Sequence, residues 1–194
     1  MINLSRELIG NKILLENLIN NFKNNSLSHS IILSGLKGIG KATFAFIFIK
    51  EIYKSLLSNK IIDHHTNLIY NNSHNNIRYI EKIYDDKTNK YKSSIGIEQI
   101  RNLDNFINQT SLDLLPKFII IDAADDLNNN SSNAILKILE EQKSNTYFIL
   151  VTHQVSNVLP TIRSRCIKFN LEKPSFEEFN QIISLNINNL ESNN

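Results

Sequence analysis

The stretch from Ser30 to Leu57 constrains this chain more than any other. Ser30-Ile31-Ile32-Leu33-Ser34 is a short apolar run rich in β-branched residues, which predicts a buried strand. Gly35-Leu36-Lys37-Gly38-Ile39-Gly40-Lys41 follows it, and residues from Lys41 to about Leu57 carry an apolar face at helical spacing. A glycine-rich turn that leaves a strand and opens a helix is the setting of a phosphate loop. Its glycines let backbone N–H groups turn inward and cradle phosphate oxygens. Lys41 would add the point charge for the β- and γ-phosphates. Gly35, Gly38, Gly40 and Lys41 are therefore the candidate nucleotide-binding residues. The simpler alternative is a plain glycine turn between strand and helix.

The rest of the chain repeats the alternation. Ile13, Leu14, Leu18, Ile19 and Phe22 recur at helical spacing after Asn11, a candidate cap, and Asn24-Asn25-Ser26 ends that helix. Residues 58 to 76 are polar and rich in His and Asn, and read as loop. Ile77-Arg78-Tyr79-Ile80 reads as a strand, Tyr84 to Lys92 as a charged turn, and Ile97 to about Asn108 as a helix. Phe118-Ile119-Ile120-Ile121 is a second buried strand ending in Asp122; Ser131 or Ser132 is a candidate cap for the helix that follows. Tyr147-Phe148-Ile149-Leu150-Val151 is a third buried strand, Leu159-Pro160 a break, and Cys166-Ile167-Lys168-Phe169 a further short strand. A last helix starts near Ser175 and frays into Asn193-Asn194. Strands alternating with helices predict an α/β fold with a mainly parallel sheet. In such sheets ligands sit beyond the carboxyl ends of the strands. The segments at Gly35, Asp122 and Thr152 all fall at such ends.

Bulk properties exclude several classes. At 194 residues and 41% hydrophobic, the chain can bury a real core. A net charge of +2, from 21 basic and 19 acidic residues, is no polyelectrolyte signature. The single cysteine, Cys166, forms neither an internal disulfide nor a four-thiolate zinc site. The longest apolar runs fall far below the ~18 residues of a membrane span. Residues Met1 to Glu7 show no basic start followed by an apolar stretch, so the expected compartment is the cytoplasm. The clusters of asparagine read as loop tips and carry no function.

The loop is incomplete for hydrolysis. The position after Lys41 should carry a hydroxyl for Mg²⁺, and it is Ala42. Thr43, one residue later, is turned about 100° around the helix. Asp122 matches the strand-end acid that touches Mg²⁺ in phosphate-loop enzymes, a residual Walker B aspartate. The carboxylate expected next to it, to activate water, is replaced by Ala123-Ala124, while Asp125 and Asp126 read as the turn before a helix. Two catalytic positions therefore carry alanine. Ser164-Arg165-Cys166 offers an arginine that could reach a γ-phosphate on a neighbouring subunit; a local surface salt bridge is its commoner use. His64, His65 and His74 read as solvated loop histidines rather than metal ligands. Glu140-Glu141 reads as a solvated face, and no aromatic-interleaved basic stripe is visible.

Taken in order, these segments resemble the delta prime type of clamp-loader protein in bacterial DNA polymerase III, an AAA+ family. The matching stretches are Leu27–Gly35 running into Gly38–Thr43, Ile80–Thr88, Ile95–Arg101, Ile120–Asn128, Asn133–Glu141 and Leu159–Cys166, so the likeness covers residues 8 to 170. It implies an AAA+ core over residues 1–172 and, over 173–194, a partial lid helix with a disordered tail, with the family's helical collar absent from this sequence. It also implies a subunit that does not hydrolyse ATP, in keeping with Ala42 and Ala123. Arg165 would complete the ATP site of the adjacent motor subunit, and Thr152 stands where the family places a polar sensor. The implied partners are the gamma/tau motor subunits and delta, with the sliding clamp and primed DNA met through the complex, and no membrane. ATP is the nucleotide such a loop would take, with Mg²⁺ placement impaired by Ala42; the family's cysteine-rich zinc module is missing here, which excludes zinc. The alternatives are an active AAA+ ATPase of replication, a phosphate-loop kinase for which no base or lid is found, and a degenerate structural domain.

Overall fold

The computed structural model describes residues 8–110, 114–141 and 143–191, with side chains as far as Ser184. Met1 to Glu7 and Asn193-Asn194 lie outside the described residues. In chain order the helices are α1 (Lys12–Lys23), α2 (Lys41–Leu56), α3 (Asn59–Tyr70), α4 (Ile97–Asn108), α5 (Asn129–Glu141), the short α6 (Pro160–Arg163) and α7 (Phe176–Glu191). The strands are β1 (Ser30–Ser34), β2 (Ile77–Ile80), a small hairpin of β3 (Tyr84–Asp85) and β4 (Lys90–Tyr91), β5 (Lys117–Asp122), β6 (Thr146–Thr152) and β7 (Ile167–Asn170).

Five strands form one sheet in the order β2-β5-β6-β1-β7, every pair parallel. The alternation of side chains along each strand sorts the apolar residues into two layers. Ile31, Leu33, Phe118, Ile120, Ile149 and Val151 face a core closed by α1, α2 and α3. Ile32, Ile119, Ile121, Phe148 and Leu150 face a second core closed by α4 and α5. Both faces are covered, so the inner strands are continuous apolar runs, as parallel sheets require.

Several local expectations need correction. Residues 58 to 76 are not all loop: Asn59–Tyr70 is α3, which buries His65 and Ile69. His65 and His74 are buried rather than solvated, with His65 Nδ1 2.8 Å from His74 Nε2. His74 Nδ1 accepts the Asn76 N–H at 3.1 Å, so its proton sits on Nε2 and is donated to His65. Neither serine caps α5; Asn128 does, accepting the Ser131 N–H at 2.9 Å. Asn11 offers α1 no side-chain cap and bonds the Glu172 backbone instead. Pro160 starts α6 rather than breaking the chain, as its missing N–H allows at a first helical position. The turn around Tyr84 to Lys92 is the β3–β4 hairpin. Near Ser175 the expectation holds: Ser175 and Glu178 cap each other's backbone N–H groups at the start of α7.

Candidate functional site

Three neighbouring strands bring the predicted residues to one edge of the sheet. Ser34, the last residue of β1, is in register with Thr152, the last of β6, and Asp122 closes β5 beside Val151. The glycine loop leaves β1 at this edge. Gly35 (φ 151°) is hemmed in: a methyl group there would lie 2.8 Å from Ile39 Cδ1 and 2.8 Å from the Leu171 carbonyl oxygen. Gly40 (φ 88°) makes the left-handed turn into α2. A cavity of about 610 Å³ opens between this loop and β7, lined among others by Gly35, His153, Lys168 and Asn170.

Lys41 does not project into open space. It is 3% exposed, and its ammonium donates to the carbonyls of Gly35 at 2.8 Å and Leu36 at 2.6 Å. Burial pulls this ammonium below the ordinary lysine range, while the charges of Asp122 and Asp125 oppose that pull. Asp122 is also engaged: the Tyr79 hydroxyl donates to its carboxylate at 2.8 Å. Burial first, then the Asp122 charge, drives the Tyr79 phenol far above its usual range. The Glu81 carboxyl is raised too, by burial and by the neighbouring Asp122. Ala42 and Ala123 bring no side-chain oxygen to this edge. Asp125 accepts the His153 and Gln154 N–H groups and Asp126 pairs with Lys82 at 2.9 Å, so both hold the turn after β5. Thr152 is fully buried, and its hydroxyl oxygen has no hydrogen-bond partner among the described residues. Among those residues no group of three or more His, Cys, Asp or Glu could hold a metal ion.

Arg165 lies apart from this edge, between α6 and β7, and so ahead of a strand rather than past one. Its guanidinium donates to Glu140 at 2.6 Å and to the Thr161 carbonyl at 2.9 Å. Glu140 is thus an ion-pair partner and not merely a solvated face. Cys166 is half-buried against the α4–α5 core, and burial pushes its thiol up to about 11. A thiol at about 11 offers about a hundredfold less thiolate near pH 8 than an ordinary cysteine. Iodoacetamide is therefore expected to label Cys166 about a hundredfold more slowly in the folded protein than in urea, which mass spectrometry of timed aliquots checks. In the sequence Tyr79 reads only as part of a strand and Glu140 only as part of a solvated face, and Glu81 carries no role; the Tyr79 hydroxyl within the Ile77–Ile80 strand is the one local signal for its contact with Asp122.

This edge of the sheet lies within a stretch of sequence that matches a family model. Residues 10–175 match the family described as DNA polymerase III, delta subunit. The chain belongs to that family. Among curated proteins it is 31% identical over 170 residues to DNA polymerase III subunit delta' of Buchnera aphidicola subsp. Baizongia pistaciae, covering 85% of this chain and 49% of that protein. It is 30% identical over 179 residues to DNA polymerase III subunit gamma of Buchnera aphidicola subsp. Schizaphis graminum, covering 89% and 46%. The chain spans about half the length of these relatives. Its fold is similar to that of a DNA polymerase III gamma subunit-related protein from Thermotoga maritima, with TM-score 0.63 and 22% identity over 83% of this chain and 46% of that one. The fold is that of an α/β AAA+ domain. Among the described residues no helix is long and apolar enough to cross a membrane.

Proposed function

We propose that this chain is a non-catalytic subunit of the DNA polymerase III clamp loader, which docks beside a gamma-type motor subunit and supplies Arg165 to the ATP site of that neighbour. The observation that carries the reading is the state of its own loop. The Lys41 ammonium is held by two carbonyls of the loop and the Asp122 carboxylate by the Tyr79 hydroxyl, while Ala42 and Ala123 lack the oxygens that place Mg²⁺ and activate water. These residues do not fit a hydrolysing metal–nucleotide centre. The exposed Arg165 fits an arginine finger, whose planar fork matches phosphate oxygens. Loading of the sliding clamp on primed DNA, and a place in the cytoplasm, follow from membership of that complex.

The test is a titration of this chain into the gamma subunit, with ATP hydrolysis followed by phosphate release. The expected result is a saturable rise in rate, with no hydrolysis by the chain alone. Turnover by the isolated chain would support an active AAA+ ATPase instead. No rise, with co-sedimentation of the two proteins intact, would sink the arginine-finger reading.

A further inference from the structure

The surroundings of Arg165 give each residue of Ser164-Arg165-Cys166 a task. The Ser164 hydroxyl donates to the Thr161 carbonyl at 3.0 Å, and the Arg165 guanidinium reaches the same carbonyl from the side. Cys166 anchors the far side of the turn in the α4–α5 core. The backbone of Arg165 is thus fixed at both neighbours. Among the described residues, the polar contact of its side chain that reaches outside the turn is the 2.6 Å bond from Nη2 to Glu140 Oε1 on α5. Both side chains remain accessible, at 38% and 53% of their surface, so the pair sits where an incoming anion can meet it.

We propose that Glu140 is a positioning residue for Arg165: it holds the guanidinium extended from α6 toward α5 before docking, so that a phosphate on the adjacent subunit meets an already ordered donor. The inference rests on the proposed role of Arg165 in trans. Two of the five guanidinium N–H groups face Thr161 and Glu140, which leaves the others for the incoming anion. A doubly charged phosphate oxygen group attracts the arginine more strongly than the single carboxylate, so Glu140 orders the side chain without competing for it. An exposed ion pair can hold a population bias of about fivefold, which sets the size of the effect.

The experiment uses the full chain titrated into the gamma subunit, with ATP hydrolysis measured for wild type, Glu140→Ala, Glu140→Gln and Arg165→Ala. The expected result is a maximal stimulated rate lowered about fivefold in Glu140→Ala, with an unchanged half-saturating concentration of this chain. Glu140→Gln, which retains an acceptor oxygen for Nη2, is expected to recover part of the rate. In the Arg165→Ala background the Glu140→Ala change should have no further effect. If Arg165→Ala abolishes stimulation while Glu140→Ala behaves as wild type, the positioning role is overturned and the role of Arg165 stands. A shift in half-saturation with full maximal rate makes Glu140 a docking contact and overturns the proposal, as does a rise in rate, which would make it a restraint. If Arg165→Ala itself changes nothing, both readings fall together.

Discussion

Under the proposed role of Arg165 in trans, alanine at this position is expected to remove nearly all of the ATPase stimulation of the gamma subunit, a loss on the order of a thousandfold in the finger-dependent rate. The size follows from where the charge acts. Negative charge develops on the transferring phosphoryl group in a site that excludes water, and a fixed cation there is worth far more than the same cation on a wet surface. Nothing nearby replaces it. Arg163 precedes it in the last turn of α6, and Lys168 points from β7 into the cavity beside the glycine loop. Lysine at 165 should recover little, because a compact ammonium cannot present two parallel donors. Folding should be almost untouched, since the Arg165–Glu140 pair is exposed and contributes at most about 1 kcal/mol. Phosphate release measured beside a thermal melt of each variant separates the two quantities. A wild-type rate for Arg165→Ala at saturation would remove the finger.

Lys117→Met is expected to cost about 3 kcal/mol of stability, and the reason lies at the end of a helix. The last carbonyls of an α-helix have no partner within it. In α4 they are taken by the Lys117 ammonium, which donates to the oxygens of Phe106 at 2.6 Å, Ile107 at 3.0 Å and Gln109. A cation at this end also opposes the negative pole of the helix. Lys117 is 7% exposed, and burial, then the nearby Arg78, pull its ammonium below the ordinary range. Methionine would fill the space and leave three carbonyls short of a donor. A urea titration should show a lower midpoint with an unchanged slope, because the same surface is exposed on unfolding. A midpoint equal to wild type would mean that water serves these carbonyls as well as lysine does.

The sheet was legible because its inner strands are buried on both faces. Runs such as Phe118–Ile121 and Phe148–Val151 fit only a sheet that helices cover on both faces. The glycine loop was legible because its glycines and lysine lie within one turn of chain. Helix α3 was not, and the reason is a single residue. Ile62, His65 and Ile69 share its inner face at helical spacing, but the middle one is a histidine whose burial depends on His74 beyond the helix. The same limit applies to the site. Tyr79 meets Asp122 across 43 positions of sequence, and Arg165 meets Glu140 across 25. Contacts of that kind are set by strand register and helix packing, and no local pattern encodes them.

The backbone at Leu171 and Glu172 is tethered on both sides just before α7. The Leu171 N–H donates to the Ser34 carbonyl at 2.8 Å, Glu172 exchanges two hydrogen bonds with the Asn11 side chain, and the Leu171 carbonyl crowds Gly35 too closely for any side chain there. Such a segment behaves as the short arm of a lever. The long arm is α7, which turns Phe176, Phe179 and Ile183 outward. A force that tilts that helix is delivered, with little slack to absorb it, to the first glycine of the loop after β1.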